Sequence, residues 1–212
     1  MISNSYETPL WTEAEGGVMR PGGLALTRRL IELAGIKKGS GVLDIGCGLG
    51  ASVNFLRKEG FDAIGVDKSE ALIRRGRALF GDLPIYAGDG LPKDRLYDAA
   101  LLECVLSAQS SQDEQKRLLD ECKQTLKPGG IIMISDMYDP DPSHDTLTKR
   151  FWLSLLRDAG EKLLFEDHTH ALRDFAMRLI WQTGSRDALR DCMGREIPAS
   201  PGYFVLVAAV QR

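Results

Sequence analysis

The stretch Gly41-Val42-Leu43-Asp44-Ile45-Gly46-Cys47-Gly48-Leu49-Gly50 decides the fold. Its first half is a short apolar run, the pattern of a strand covered on both faces. Its second half alternates glycine with other residues and stops where a helix opens near Ala51. Glycines let a backbone bend tightly and approach a ligand where a Cβ would clash. The helix behind them offers free N–H groups and a partial positive charge, which suit a carboxylate or a phosphate.

Working outward, the same alternation continues. Upstream, Arg20-Pro21-Gly22-Gly23 breaks the chain, and Leu26, Leu30 and Leu33 recur at helical spacing, predicting an amphipathic helix over 23–35. Downstream, residues 51–59 read as a helix stopped by Gly60. Strands are expected at 63–66, 84–87, 99–102 and 131–134, with a helix from the N-cap Ser69 to about Phe80. Ser111 and Glu114 form a capping box that opens a helix ended by Lys127-Pro128-Gly129-Gly130. A helix near 145–159, a strand at 162–165, a helical stretch from Thr169 and a last strand from Tyr203 to Val210 complete the series. Apolar strands alternating with helices predict a doubly wound α/β domain with a mostly parallel sheet and right-handed crossovers. Ligands in such sheets sit at the carboxyl ends of the strands.

The bulk composition fits. The chain of 212 residues is 43% hydrophobic and 27% charged, enough for one domain spanning 1–212 with a real core. A formal charge of −3 and the lack of a long Lys/Arg block argue against nucleic acid as partner. The four cysteines form no CxxC pair, so neither a metal site nor a disulfide framework is suggested, and a cytoplasmic setting with reduced thiols is expected. Nothing approaches the ~20 apolar residues of a membrane helix. Met1 to Trp11 is polar, without the apolar core of a signal peptide. Oligomeric state is not legible.

Taken alone, the glycine turn is ambiguous, because Gly46, Gly48 and Ala51 also satisfy a dinucleotide-binding pattern. Asp44, two residues before the first glycine, tilts the reading: it suits a cation such as an α-ammonium group and would disfavour a pyrophosphate. Gly50 completes a D-x-G-x-G-x-G spacing. Asp67 ends the second strand, where a carboxylate can accept both hydroxyls of a ribose. Asp89-Gly90 follows the third, where Asp89 can accept from an adenine amino group and Gly90 permits close packing on the base.

The ordered set Val42 to Gly50 (VLDIGCGLG), Val66-Asp67, Gly88-Asp89-Gly90, Tyr97 to Cys104 (YDAALLEC) and Leu126 to Gly130 (LKPGG) resembles the motifs of the class I S-adenosylmethionine-dependent methyltransferases, of the type 11 (UbiE-like) kind. The resemblance is good over about 40–136 and weaker beyond. It implies a seven-stranded Rossmann-like sheet ordered 3-2-1-4-5-7-6 with the last strand antiparallel. It also implies S-adenosyl-L-methionine as cofactor, S-adenosyl-L-homocysteine as product, and a small-molecule acceptor. Asp44, Gly46, Cys47, Gly48 and Gly50 would hold the methionine end, with Asp67 and Lys68 at the ribose and Asp89 with Gly90 at the adenine. Two features depart from the simplest members: the helical insertion at 169–195, longer than a minimal fold needs, and the Arg20-Pro21-Gly22-Gly23 segment.

Glu103 and Cys104 end the fourth strand, where similar enzymes place groups near the sulfonium or the acceptor. They are the candidate catalytic residues, Glu103 also as a cofactor contact. The Glu-Cys-Val-Leu-Ser run is faintly similar to arsenite methyltransferases, but no cluster of cysteines is evident. Asp136, Tyr138, His168 and His170 follow later strands and are candidates for the acceptor pocket. The N-terminal region 1–35, with Tyr6, Trp11 and Arg20, is a candidate lid, with Gly16-Gly17 and Gly22-Gly23 as hinges. Two other readings stand beside methyl transfer: a nicotinamide-dependent oxidoreductase, and a non-enzymatic binding module on the same fold.

Overall fold

The structure is a computed structural model that describes residues 18, 20–141, 143, 148–157, 163–193, 198 and 200–210. Tyr6, Trp11 and Gly16-Gly17 of the expected lid, and Ala159-Gly160 and Lys162, lie outside the described residues.

The helices are α1 (Gly23–Ala34), α2 (Ala51–Lys58), α3 (Glu70–Phe80), α4 (Gln112–Gln124), α5 (Lys149–Arg157), α6 (Thr169–Thr183) and α7 (Ala188–Met193). The strands are β1 (Gly41–Ile45), β2 (Asp62–Asp67), β3 (Ile85–Ala87), β4 (Tyr97–Glu103), β5 (Leu126–Tyr138), β6 (Leu163–Asp167) and β7 (Gly202–Ala209). They form one seven-stranded sheet ordered β3-β2-β1-β4-β5-β7-β6. Strands β1 to β5 pair in parallel, and β7 runs antiparallel to both β5 and β6. The order and the reversed last strand are those the resemblance implied.

Successive side chains of a strand point to opposite faces, so each apolar strand feeds two cores. Val42, Ala63, Leu101 and Val205 pack with Leu26 and Leu30 of α1, Val53 and Leu56 of α2, and Leu172 of α6. Leu43, Val66, Leu102 and Phe204 pack on the other face with Leu119 of α4 and Trp152 of α5. Both sides of the sheet are dry, which explains the near-continuous apolar reading of the strands.

Local signals read from the sequence recur in the geometry. Ser69 caps α3 by accepting the Leu72 amide at 3.2 Å. Ser111 caps α4 by accepting the Glu114 amide at 3.2 Å, while the Glu114 carboxylate accepts from the Ser110 amide rather than closing the box on Ser111. Two expectations need correction. Lys127-Pro128-Gly129-Gly130, expected to end α4, lies inside β5, which opens at Leu126 paired with Tyr97 ahead of a register shift, while α4 already ends at Gln124. Asp136 and Tyr138 lie within β5, opposite Phe204 and Gly202, not after it.

Among the described residues no helix is long and apolar enough to cross a membrane.

Candidate functional site

The ends of β1, β2 and β4 bring the glycine turn, Asp67 and Glu103 to one edge of the sheet, since β1 pairs with both neighbours in register. Gly46, Gly48 and Gly50 all take positive φ, at 71°, 54° and 82°. The turn at Gly46 is also crowded: a Cβ there would stand 2.6 Å from Val105 Cγ2. Glycine is therefore required by both conformation and space.

Two carboxylates sit beneath this turn. Asp44 is only 3% exposed and accepts no hydrogen bond from the described residues. Burial, and then the neighbouring Glu103, push its carboxyl pKa well above the ordinary value, against the pull of Arg20. Glu103 has a 4% exposed side chain and is gripped from three sides. Arg20 Nη2 pairs with it at 2.7 Å, the Thr27 hydroxyl donates at 3.0 Å, and the Ser52 hydroxyl donates at 2.8 Å. Arg20 also donates to the Thr27 hydroxyl, so helix α1 and the turn before it are clasped to the strand ends. Burial opposes the charge on Arg20, yet Glu103, with Tyr203 and Asp44, more than offsets it and raises its pKa.

Asp67 is poised differently. One oxygen accepts the Gly48 amide and the other the Ser69 amide, each at 2.8 Å. The glycine turn and the start of α3 are thus tied through a single carboxylate that has lone pairs to spare. Lys68, Asp89 and Gly90 are exposed, and Asp89 accepts no hydrogen bond from the described residues. Cys47 turns its side chain away from the edge to pack against β2, its Sγ 2.7 Å from where a Cβ on Gly65 would be. Burial raises its thiol pKa well above the ordinary value, so the residue can offer a ligand little but its backbone.

Cys104 follows Glu103 in a left-handed conformation, φ 59°, the one non-glycine residue of that kind among the described residues. Its Sγ lies 3.1 Å from the Tyr203 hydroxyl, which in turn donates to Ser135 Oγ at 3.2 Å. Burial pushes the thiol up to about 12. That direction favours the protonated thiol at neutral pH.

The remaining candidates divide. Asp136 is fully buried and spent on structure, accepting from the Ser107 amide at 3.0 Å, the Ser107 hydroxyl and the Met137 amide. Tyr138 donates to Asp167 at 2.5 Å. His168 meets Glu166 at 3.3 Å, and Arg29 grips the same carboxylate through Nε at 3.0 Å and Nη2 at 2.6 Å. Sequence reasoning missed Thr27, Ser52, Ser135 and Tyr203, and took Arg20 for part of a lid. No spacing signal links these residues, because each meets its partner only through the fold.

Comparison with known proteins agrees with this geometry. A family model described as a methyltransferase domain matches residues 20–183. The chain is 33% identical over 112 residues to a carboxy-S-adenosyl-L-methionine synthase of Aliivibrio salmonicida, covering 48% of this chain and 46% of the relative. It is 27% identical over 175 residues to phosphoethanolamine N-methyltransferase 3 of Arabidopsis thaliana, covering 72% and 35%. The chain thus spans half or less of the length of these relatives. Among solved structures, the [4+2]-cyclase SpnF superposes with a TM-score of 0.70 at 24% identity, over 88% of this chain and 80% of that one, a likeness of fold.

Proposed function

The chain belongs to the class I S-adenosylmethionine-dependent methyltransferase family, and from that premise we propose that it binds S-adenosylmethionine at the edge formed by β1, β2 and β4 and transfers its methyl group to a small-molecule acceptor. One observation carries the reading: Asp44 and the Glu103 side chain are both buried, and among the described residues the cation that acts on them is Arg20, which pairs with Glu103 at 2.7 Å and reaches Asp44 only through its field. A buried carboxyl with no cation in contact is driven towards its protonated form, so a cation docked beside Asp44 is what would favour its charged form. An α-ammonium group is such a cation, and a pyrophosphate would oppose that form.

In this reading Asp44 receives the ammonium, and the glycine turn of Gly46, Cys47, Gly48 and Gly50 lies along the methionine chain. Asp67, fixed by two amides, accepts from the ribose hydroxyls beside Lys68. Asp89 and Gly90 border the adenine. When bound, the group supplies a methyl already activated by its sulfonium. What the protein adds is alignment of the acceptor and exclusion of water. Glu103, held by Arg20, Thr27 and Ser52, orients the methionine end. Cys104 stands at the acceptor side with the buried Tyr203 behind it, and burial keeps both neutral, so neither supplies a base for proton removal.

The free thiols Cys47, Cys104 and Cys122 suit the reducing cytoplasmic setting that we propose. Burial raises the pKa of all three thiols.

Parallel calorimetric titrations with S-adenosylhomocysteine and NAD test the reading. Saturable one-site binding of the former alone is expected. Binding of NAD alone would replace the proposal with a nicotinamide enzyme, and binding of neither would favour a non-enzymatic module.

A further inference from the structure

Arg20 holds a donor that no described residue uses. Its side chain is 10% exposed, and while Nη2 serves Glu103 and Thr27, Nε is buried with no partner. Buried guanidinium N–H groups are ordinarily satisfied, so an orphan invites an acceptor. Asp44 presents the complementary chemistry, a carboxylate 3% exposed that accepts no hydrogen bond from the described residues. The two belong to one electrostatic cluster, since Asp44 is among the groups that raise Arg20 and Arg20 opposes the upward shift of Asp44.

A zwitterion complements both groups at once. We propose that Arg20 is the carboxylate receptor of the site: a ligand with a free α-amino acid end docks its ammonium on Asp44 and its carboxylate on Arg20 Nε. This assignment rests on the function proposed above and deepens it by fixing which end of the ligand the protein selects. It also gives the Arg20-Pro21-Gly22-Gly23 segment a purpose. The Gly23 amide donates to the Arg20 carbonyl at 3.3 Å, and Gly22, at φ 70°, is the N-cap of α1. The turn so formed sets the guanidinium over the strand ends, and Thr27 one turn into α1 locks it there.

The test compares three probes on wild type and on Arg20→Met. S-adenosylhomocysteine carries both amine and carboxylate, 5′-(3-aminopropylthio)-5′-deoxyadenosine the amine alone, and 5′-methylthioadenosine neither. A guanidinium–carboxylate contact predicts that wild type prefers the first over the second by about 30-fold. Arg20→Met should reduce that preference to less than about threefold while leaving 5′-methylthioadenosine affinity within about threefold. Arg20→Lys, which keeps charge but lacks Nε, should fall between. If Arg20→Met does not fold, Arg20→Met with Glu103→Gln removes the stranded acid and carries the same comparison. Undiminished preference for the carboxylate in the folded variant overturns the assignment. Failure of wild type to bind any of the three probes overturns instead the reading on which it rests.

Discussion

Asp67 and Gly48, from different strand ends, are joined by a 2.8 Å hydrogen bond from the Gly48 amide to the Asp67 carboxylate. That bond, with the one from Ser69, fixes the acid before any ligand arrives, so little ordering remains to oppose binding. Asp67→Ala removes both bonds and the proposed grip on the ribose. S-adenosylhomocysteine should then bind about 10- to 100-fold more weakly by calorimetry. Asp67→Asn, which keeps one acceptor oxygen, should lose less; equal affinity in both variants and wild type would remove Asp67 from the site.

Gly46→Ala should damage the turn on two counts. The left-handed backbone at φ 71° costs roughly 1–2 kcal/mol for a residue with a Cβ, and that Cβ would meet Val105 at 2.6 Å. Gly184→Ala is the matched control, with φ 70° and nothing within 4 Å. Urea unfolding should show a larger loss for Gly46→Ala than for the control, and only the former should impair nucleoside binding.

The glycine turn was legible in the sequence because its chemistry is local: strand, bend and helix follow one another, and so do the caps Ser69 and Ser111. The strand order came only with the family resemblance, since register across a sheet leaves little trace along the chain. The clasp on Glu103 was not legible at all. Arg20, Thr27 and Ser52 come from three separate segments, and nothing in their spacing announces a common partner. Cys104 was visible as a strand-end residue, but its left-handed backbone and its bond to Tyr203 were not, for non-glycine residues seldom adopt that conformation. Asp136 was misread because β5 runs further than its apolar stretch, taking the acid into the sheet.

Asp44 should set a pH dependence. Its pKa is raised in the folded chain, so the stability it contributes is full below the unfolded carboxyl pKa and is lost as pH rises through the folded value. Asp44→Asn removes that loss. Without ligand the variant should melt a few degrees higher than wild type at about pH 8, yet bind S-adenosylhomocysteine at least about tenfold more weakly. Parallel pH–stability curves for the two proteins would contradict the assignment.

Cys104 should resist alkylation. With its thiol pushed up to about 12, almost no thiolate exists at pH 8. Mass spectrometry after iodoacetamide treatment should find it unmodified in the folded protein and modified after denaturation. Cys104→Ser, which can still meet Tyr203, should bind S-adenosylhomocysteine within about threefold of wild type. Rapid labelling in the folded state would show a reactive thiolate and reopen a nucleophilic role.

The most direct test of the whole account is a crystal structure of the protein with S-adenosylhomocysteine. The ribose hydroxyls should lie within about 3.2 Å of the Asp67 carboxylate and the ammonium at a similar distance from Asp44. A nucleoside lodged away from the ends of β1 and β2, with both acids unliganded, would contradict it.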